Sequence, residues 1–142
     1  MIFVDANIFL RRLVPPATAS DIVQHHIAIE LFRRAELGEL ELTTSEAVLA
    51  EVVYILSAKR HYAMPADEVV ARMLPYVRSR GIMLDRPAVV HDALLIWRDH
   101  PSIGFVDALG AAYGKQPRTE LATFDTDLDR VPGVRRYDLA SG

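Results

Sequence analysis

Short strand-like runs separated by longer helical segments run through this sequence, and a chain patterned in this way can close into only a few architectures. Ile2–Val4 is a continuous apolar run of the kind found in a strand buried on both faces. Leu40–Thr43 alternates like a brief strand, and Ile82–Leu84 is a third candidate. Leu121–Phe124 reads as a further buried strand and Val134–Tyr137 as a weaker edge strand. The segments between them have helical spacing. A short helix through Ile8–Leu10 stops before Pro15 and Pro16, which remove two backbone donors. Thr18 and Asp21 form a capping box for a helix in which Ile22, Ile29, Phe32 and Ala35 recur, with Gly38 placed to end it. Thr43 with Glu46 offers a second capping box for a helix through about Arg60. Another helix opens at Pro65 and runs to Gly81, a residue suited to the left-handed position beyond a helix end. A helix from Pro87 to about Asp99 carries Val90, Leu94 and Trp97 on one stripe, and an alanine-rich helix spans about Val106 to Tyr113. Strands alternating with helices require right-handed crossovers. The expected class is therefore α/β, a three-layer α/β/α sandwich with a central, mostly parallel sheet.

The length of 142 residues, 51% of them hydrophobic, suits one core, so residues 1–142 read as a single domain. No apolar run approaches the ~20 residues needed to cross a bilayer, and Asp5 interrupts the opening apolar run before a signal-peptide core could form. A soluble, cytoplasmic protein is expected. The absence of cysteine excludes disulfides and thiolate zinc sites, so any metal must use oxygen or imidazole ligands. A net charge of −3 argues mildly against a nucleic-acid partner, since most such proteins carry a basic surface. The positive charges are local, with Arg11, Arg12, Lys59, Arg60 and Lys115 as weak candidates for phosphate contacts. The five histidines form no convincing site: His25 and His26 are adjacent on a helix and point in different directions.

In a parallel sheet, functional groups collect beyond the carboxyl ends of the strands. Asp5 directly follows Ile2–Val4 and Asp125 directly follows Leu121–Phe124, so two neighbouring strands would set these carboxylates at one edge. Thr44 and Ser45 stand at the corresponding place after the second strand. Hydroxyls and carboxylates there make a hard-oxygen cation site plausible. Each acid also has a plainer role open to it: Asp5 or Asn7 as a helix cap, Asp125 with Asp127 as turn stabilisers. Glu51, flanked on its helix by Val48 and Ile55, falls at the border of an apolar stripe, and Asp107 lies between Phe105-Val106 and Ala108-Leu109. Both are poor places for an unpaired charge if buried.

The acids together carry a more specific signal. Val4-Asp5-Ala6-Asn7, Glu51 within the segment 45–52, Asp107 within Phe105–Leu109, and Thr123-Phe124-Asp125-Thr126-Asp127 resemble the spaced acidic motifs of PIN domains, and their order, spacing and total length look like those of the VapC toxins of bacterial toxin-antitoxin pairs. The resemblance covers nearly the whole chain. It implies a central parallel sheet, a Mg²⁺ or Mn²⁺ site, endoribonuclease activity on RNA, a homodimer, and a cognate antitoxin that blocks the site. It carries over Asp5, Glu51, Asp107 and Asp125 as catalytic and metal-binding residues, with Asn7, Thr123 and Asp127 in support. A cation held by carboxylates would offset charge on a phosphodiester and acidify an attacking water, giving 5′-phosphate and 3′-hydroxyl products. Converging carboxylates without a cation would repel one another.

Two other classes compete. A haloacid-dehalogenase-like phosphatase would use Asp5 as nucleophile, Thr44 or Ser45, Lys115, and Asp125 with Asp127. It wants a second Asp two residues after the nucleophile, where this chain has Asn7, and it leaves Glu51 and Asp107 without a role. A non-catalytic PIN-like binding module would use the same acids to receive a partner's Arg or Lys.

Overall fold

The computed structural model describes residues 1–140 of the chain, which forms two compact units, the first spanning Met1–Pro87 and the second beginning at Ala88. The first unit is built on three parallel strands, β1 (Ile2–Phe3), β2 (Leu42–Thr43) and β3 (Ile82–Met83), in the order β1-β2-β3. Leu42 is the hinge of the register, pairing with Ile2 on one side and Ile82 on the other, and it is fully buried. Its helices are α1 (Ala6–Leu13), α2 (Ala19–Glu36), α3 (Glu46–Ser57) and α4 (Ala66–Val77). The parallel sheet with interposed helices is the α/β class expected from the sequence.

The local reasons for these elements are mostly the anticipated ones. Thr18 and Asp21 make the reciprocal capping box at the start of α2, and Gly38 beyond its end has φ +77°, the left-handed conformation that glycine adopts without strain. Asp21 also pairs with Arg11 of α1 at 2.8 Å. Partial desolvation pushes the Asp21 carboxyl up, but hydrogen bonds from the Ala17 and Thr18 backbone and the Arg11 charge outweigh it and hold the group below its ordinary range. Phe9 of α1, Phe32 of α2 and Tyr76 of α4 pack ring against ring, with centroids 4.8–6.2 Å apart. The last-turn carbonyls of α1 are claimed by its neighbours: Arg72 Nη1 donates to Leu13 O at 2.6 Å, and His25 Nδ1 lies 2.7 Å from Arg11 O. This fixes α1 along its length, with Asp5 at its other end.

Three expectations need correction. β1 is not buried on both faces: it is an edge strand with Ile2 and Phe3 exposed, and only the following Val4 is buried. Thr43 does not cap α3. Its Oγ1 donates instead to Met83 O at 2.7 Å, and Ser45 is the cap, accepting from Val48 N at 3.2 Å. Gly81 does not occupy a left-handed position. It stands where a Cβ would lie 2.6 Å from the carbonyl carbon and oxygen of Ala35, so glycine is needed there for close approach of two backbones.

The second unit contains α5 (Pro87–Asp99, its first residue in the first unit), a 3₁₀ turn at Pro101–Ile103, α6 (Phe105–Gly114) and a second 3₁₀ turn at Thr126–Arg130. Val90, Leu94 and Trp97 of α5 are buried as their spacing predicts, and Trp97 meets Phe105 edge to face at 6.4 Å. Leu121–Phe124 is not a buried strand. Leu121 makes one isolated parallel bridge to Arg136, and the chain then leaves extended pairing for a turn. Small residues let α6 lie close to this bridge: a Cβ on Gly114 would stand 3.0 Å from Val134 and 3.1 Å from Leu121. No helix among the described residues is long and apolar enough to cross a membrane.

Candidate active site

The first unit presents Asp5 and Glu51. Asp5 is where β1 ends and α1 begins, and that junction is tied down from both sides. Val4 N donates to Thr43 O at 2.8 Å, and the buried Thr44 returns its hydroxyl to Val4 O at 2.8 Å. The exposed Asp5 side chain is the N-cap of α1, with Oδ1 accepting from Ala6 N at 2.7 Å. One carboxylate oxygen is thus engaged by the backbone, and Asn7 beside it is exposed. Glu51 is one turn beyond the Ser45 cap of α3. Leu49, Val52, Val53 and Leu56 take the buried side of that helix, while Ala47, Glu51 and Tyr54 form its exposed stripe. Glu51 thus stands on the exposed side of the stripe's border, between the half-buried Val48 and Ile55, and its carboxylate makes no hydrogen bond or ion pair with the described residues.

The second unit presents Asp107 and Asp125. Asp107 is in the first turn of α6, where Phe105, Ala108 and Leu109 are buried and Val106 and Asp107 face outward. Gly104 supplies no capping side chain to that helix, so Asp107 is the acid nearest its positive end, and it too makes no bond to the described residues. The expectation of a charge pressed between close-packed small residues is not met: the alanines pack, and the carboxylate is in solvent. Asp125 caps the second 3₁₀ turn. Its N donates to Thr123 Oγ1 at 3.0 Å, and its Oδ1 accepts from Asp127 N at 2.8 Å, the turn-stabilising pattern that the sequence left open. Asp127 in turn meets Arg130 at 3.3 Å in an exposed pair.

Several suggested cations are occupied. Arg11 pairs with Asp21, Lys115 with Asp92 at 3.1 Å, and Arg12 lies 6.0 Å from the Tyr76 ring centre. Arg60 donates to Tyr54 Oη at 3.2 Å, and Lys59 is exposed beside it. The phosphatase reading loses its parts on the same evidence. Thr44 is buried on Val4 O, Ser45 caps a helix, and Lys115 is neutralised by Asp92.

The donor set among these acids is all oxygen, the chemistry of Mg²⁺ and Mn²⁺. Among the described residues, however, no three His, Asp or Glu side chains are grouped to hold a metal ion. Exposed carboxylates with free lone pairs suit a hydrated cation, which is commonly held by one or two carboxylates together with substrate phosphates. They do not make the closed cage of a resident ion.

Sequence reasoning missed Phe124. Read as the end of a buried strand, it is 91% exposed, and the turn-forming Thr123, Asp125 and Asp127 around it were the available signal.

A comparison with curated proteins found no significant match. The family model described as PIN domain matches residues 2–134, including all four acids. That span is most of the chain, so the chain belongs to the PIN-domain family, an α/β/α fold with a parallel sheet whose members are typically nucleases.

Proposed function

We propose that this PIN-domain protein is a Mg²⁺- or Mn²⁺-dependent endoribonuclease, that Asp5, Glu51, Asp107 and Asp125 are its site acids, and that it serves in the cytoplasm as the toxin of a type II toxin-antitoxin pair. The observation that carries the reading is that two acids within the matched PIN-domain span, Glu51 and Asp107, stand in solvent on well-formed helices without a partner among the described residues. A carboxylate that serves only fold stability is normally engaged in a cap or an ion pair, as Asp21 and Asp92 are.

The cation, when bound, supplies charge neutralisation at the scissile phosphate and a more acidic water. Asp107, at the start of α6, would be the residue that holds that cation. Glu51 accepts a hydrogen bond from the attacking water and orients it. Asp125 is kept in place by its own turn, with the Thr123 hydroxyl behind it, and Lys59 and Arg60 contact flanking phosphates. Attack forms a bond from the water oxygen to phosphorus and breaks the bond to the 3′ oxygen; the water gives up a proton by way of Glu51 to solvent, and the 3′ oxygen takes one from solvent to leave as a hydroxyl.

The test is incubation of purified, partner-free protein with single-stranded RNA. Cleavage with millimolar Mn²⁺, its loss in excess EDTA, and a fall in kcat of at least about a hundredfold for Asp107→Asn are expected, removal of one electrostatic contact to a developing charge being worth about that much. Equal activity in EDTA would sink the proposal.

A further inference from the structure

Phe124 is the most exposed large apolar side chain of the described residues, yet the backbone on either side of it is tied. Thr123 O accepts from Arg136 Nη2 at 2.7 Å, and Asp125 N donates to Thr123 Oγ1 at 3.0 Å. Arg136 is itself anchored, with Nη1 donating to Asp129 Oδ1 at 2.6 Å. The ring is thus presented to water on a held loop. Beside it runs an open cleft of about 580 Å³, lined by Thr123, Phe124, Arg136, Tyr137, Asp138, Leu139 and Ala140, and Tyr137 is 48% exposed there.

The lining selects among occupants. A free phosphate is disfavoured, because Arg136 is already paired with Asp129 and the cleft's lining also includes the acidic Asp138. A folded protein partner needs about 20–30 residues a side, and seven line this cleft. The open cleft admits a flat, polar-edged ring beside Phe124: every nucleobase has a π-face to stack on an aromatic side chain, and an edge to hydrogen-bond with groups nearby. Phe124 also immediately precedes Asp125, so a base held there would fix the strand next to a site acid.

We propose that Phe124, with Tyr137 also lining the cleft, is a stacking platform for one unpaired nucleobase of the RNA, and so a positioning site that confines the enzyme to single strands. This rests on the ribonuclease reading. The probe is a short single-stranded RNA oligonucleotide carrying 2-aminopurine, titrated into Asp107→Asn protein to prevent cleavage, with Phe124→Ala and Phe124→Trp added in turn. Phe124→Ala is expected to weaken binding about tenfold, the lower part of the range for one stacked base, and to abolish the quenching of 2-aminopurine fluorescence. Phe124→Trp is expected to preserve both, which a merely structural role for the ring does not require. The same oligonucleotide in a duplex should bind equally weakly to protein with and without Phe124. Unchanged affinity and quenching in Phe124→Ala overturn the platform while leaving the ribonuclease reading intact. A change in oligomeric mass without a change in RNA binding assigns the patch to protein contact and overturns it too. Failure of protein with Phe124 intact to bind any RNA overturns both proposals.

Discussion

Asp5 carries two roles whose energetic signatures differ. As the N-cap of α1 it satisfies a backbone N–H at 2.7 Å, and as a motif acid of a nuclease family it is a proposed site residue. Mutual repulsion among converging carboxylates would make Asp5→Asn stabilising, but no such group exists among the described residues and the side chain is already used by the backbone. Asn caps a helix about as well as Asp, whereas Ala cannot. Asp5→Ala is therefore expected to lower stability by about 1 kcal/mol, while Asp5→Asn stays within a few tenths of the unsubstituted protein and loses ribonuclease activity as fully as Asp5→Ala does. Urea melts paired with RNase assays read both quantities. Retention of activity in the Asn variant alone would reduce Asp5 to a cap.

At the scale of elements, the legibility of the chain follows from how local each signal is. The capping box of α2, the buried stripe of α5 and, in the first unit, the alternation of strands with helices depend on residues a few positions apart and are present as read, whereas Leu121–Phe124 and Val134–Tyr137 share only one isolated bridge. What pairs with what is not local. The apolar content of Leu121–Phe124 is real, but burial needs a neighbour, and beyond Leu121 there is none. The same limit applied to the site: the acidic motifs behind the proposed site residues were legible, but the exposure of Asp107 and Glu51, the cap made by Asp5 and the outward ring of Phe124 were not. Gly38 and Gly81 show the distinction cleanly, since both follow helices and read alike, yet one needs a left-handed φ in open space and the other a missing Cβ against Ala35. Asparagine tolerates the left-handed region and does nothing for a clash. Gly38→Asn should therefore cost well under 1 kcal/mol, and Gly81→Asn about 1–3 kcal/mol or more as the Ala35 backbone is displaced. Similar denaturation midpoints for the two variants would contradict this assignment.

At the scale of the whole molecule, the folded chain leaves apolar surface uncovered. Along α2, Val23 and Ile27 are 59% and 62% exposed, and Ile27 lines an open groove with His26, Glu30, Leu31 and Arg34. Positions 23, 27, 30, 31 and 34 recur at the i, i+4, i+7, i+8 and i+11 spacing of one helix face, so the groove is a stripe long enough for another helix to lie against. A second copy of the chain is the occupant expected here, because a two-fold axis would set the same stripe from each protomer face to face and bury both at once. The flanking Glu30 and Arg33 already form a bidentate pair on their own helix, which leaves the rim charged without placing like charges opposite each other. Light scattering at micromolar concentration should then return twice the chain mass, and the melting temperature should rise with protein concentration, since association stabilises the folded state by mass action. Ile27→Asp places a charge at the centre of the stripe without touching the core, so it should halve the mass, abolish the concentration dependence and leave the monomer folded. A monomeric mass for the unsubstituted chain across that range, or a dimer that survives Ile27→Asp unchanged, removes α2 as the interface.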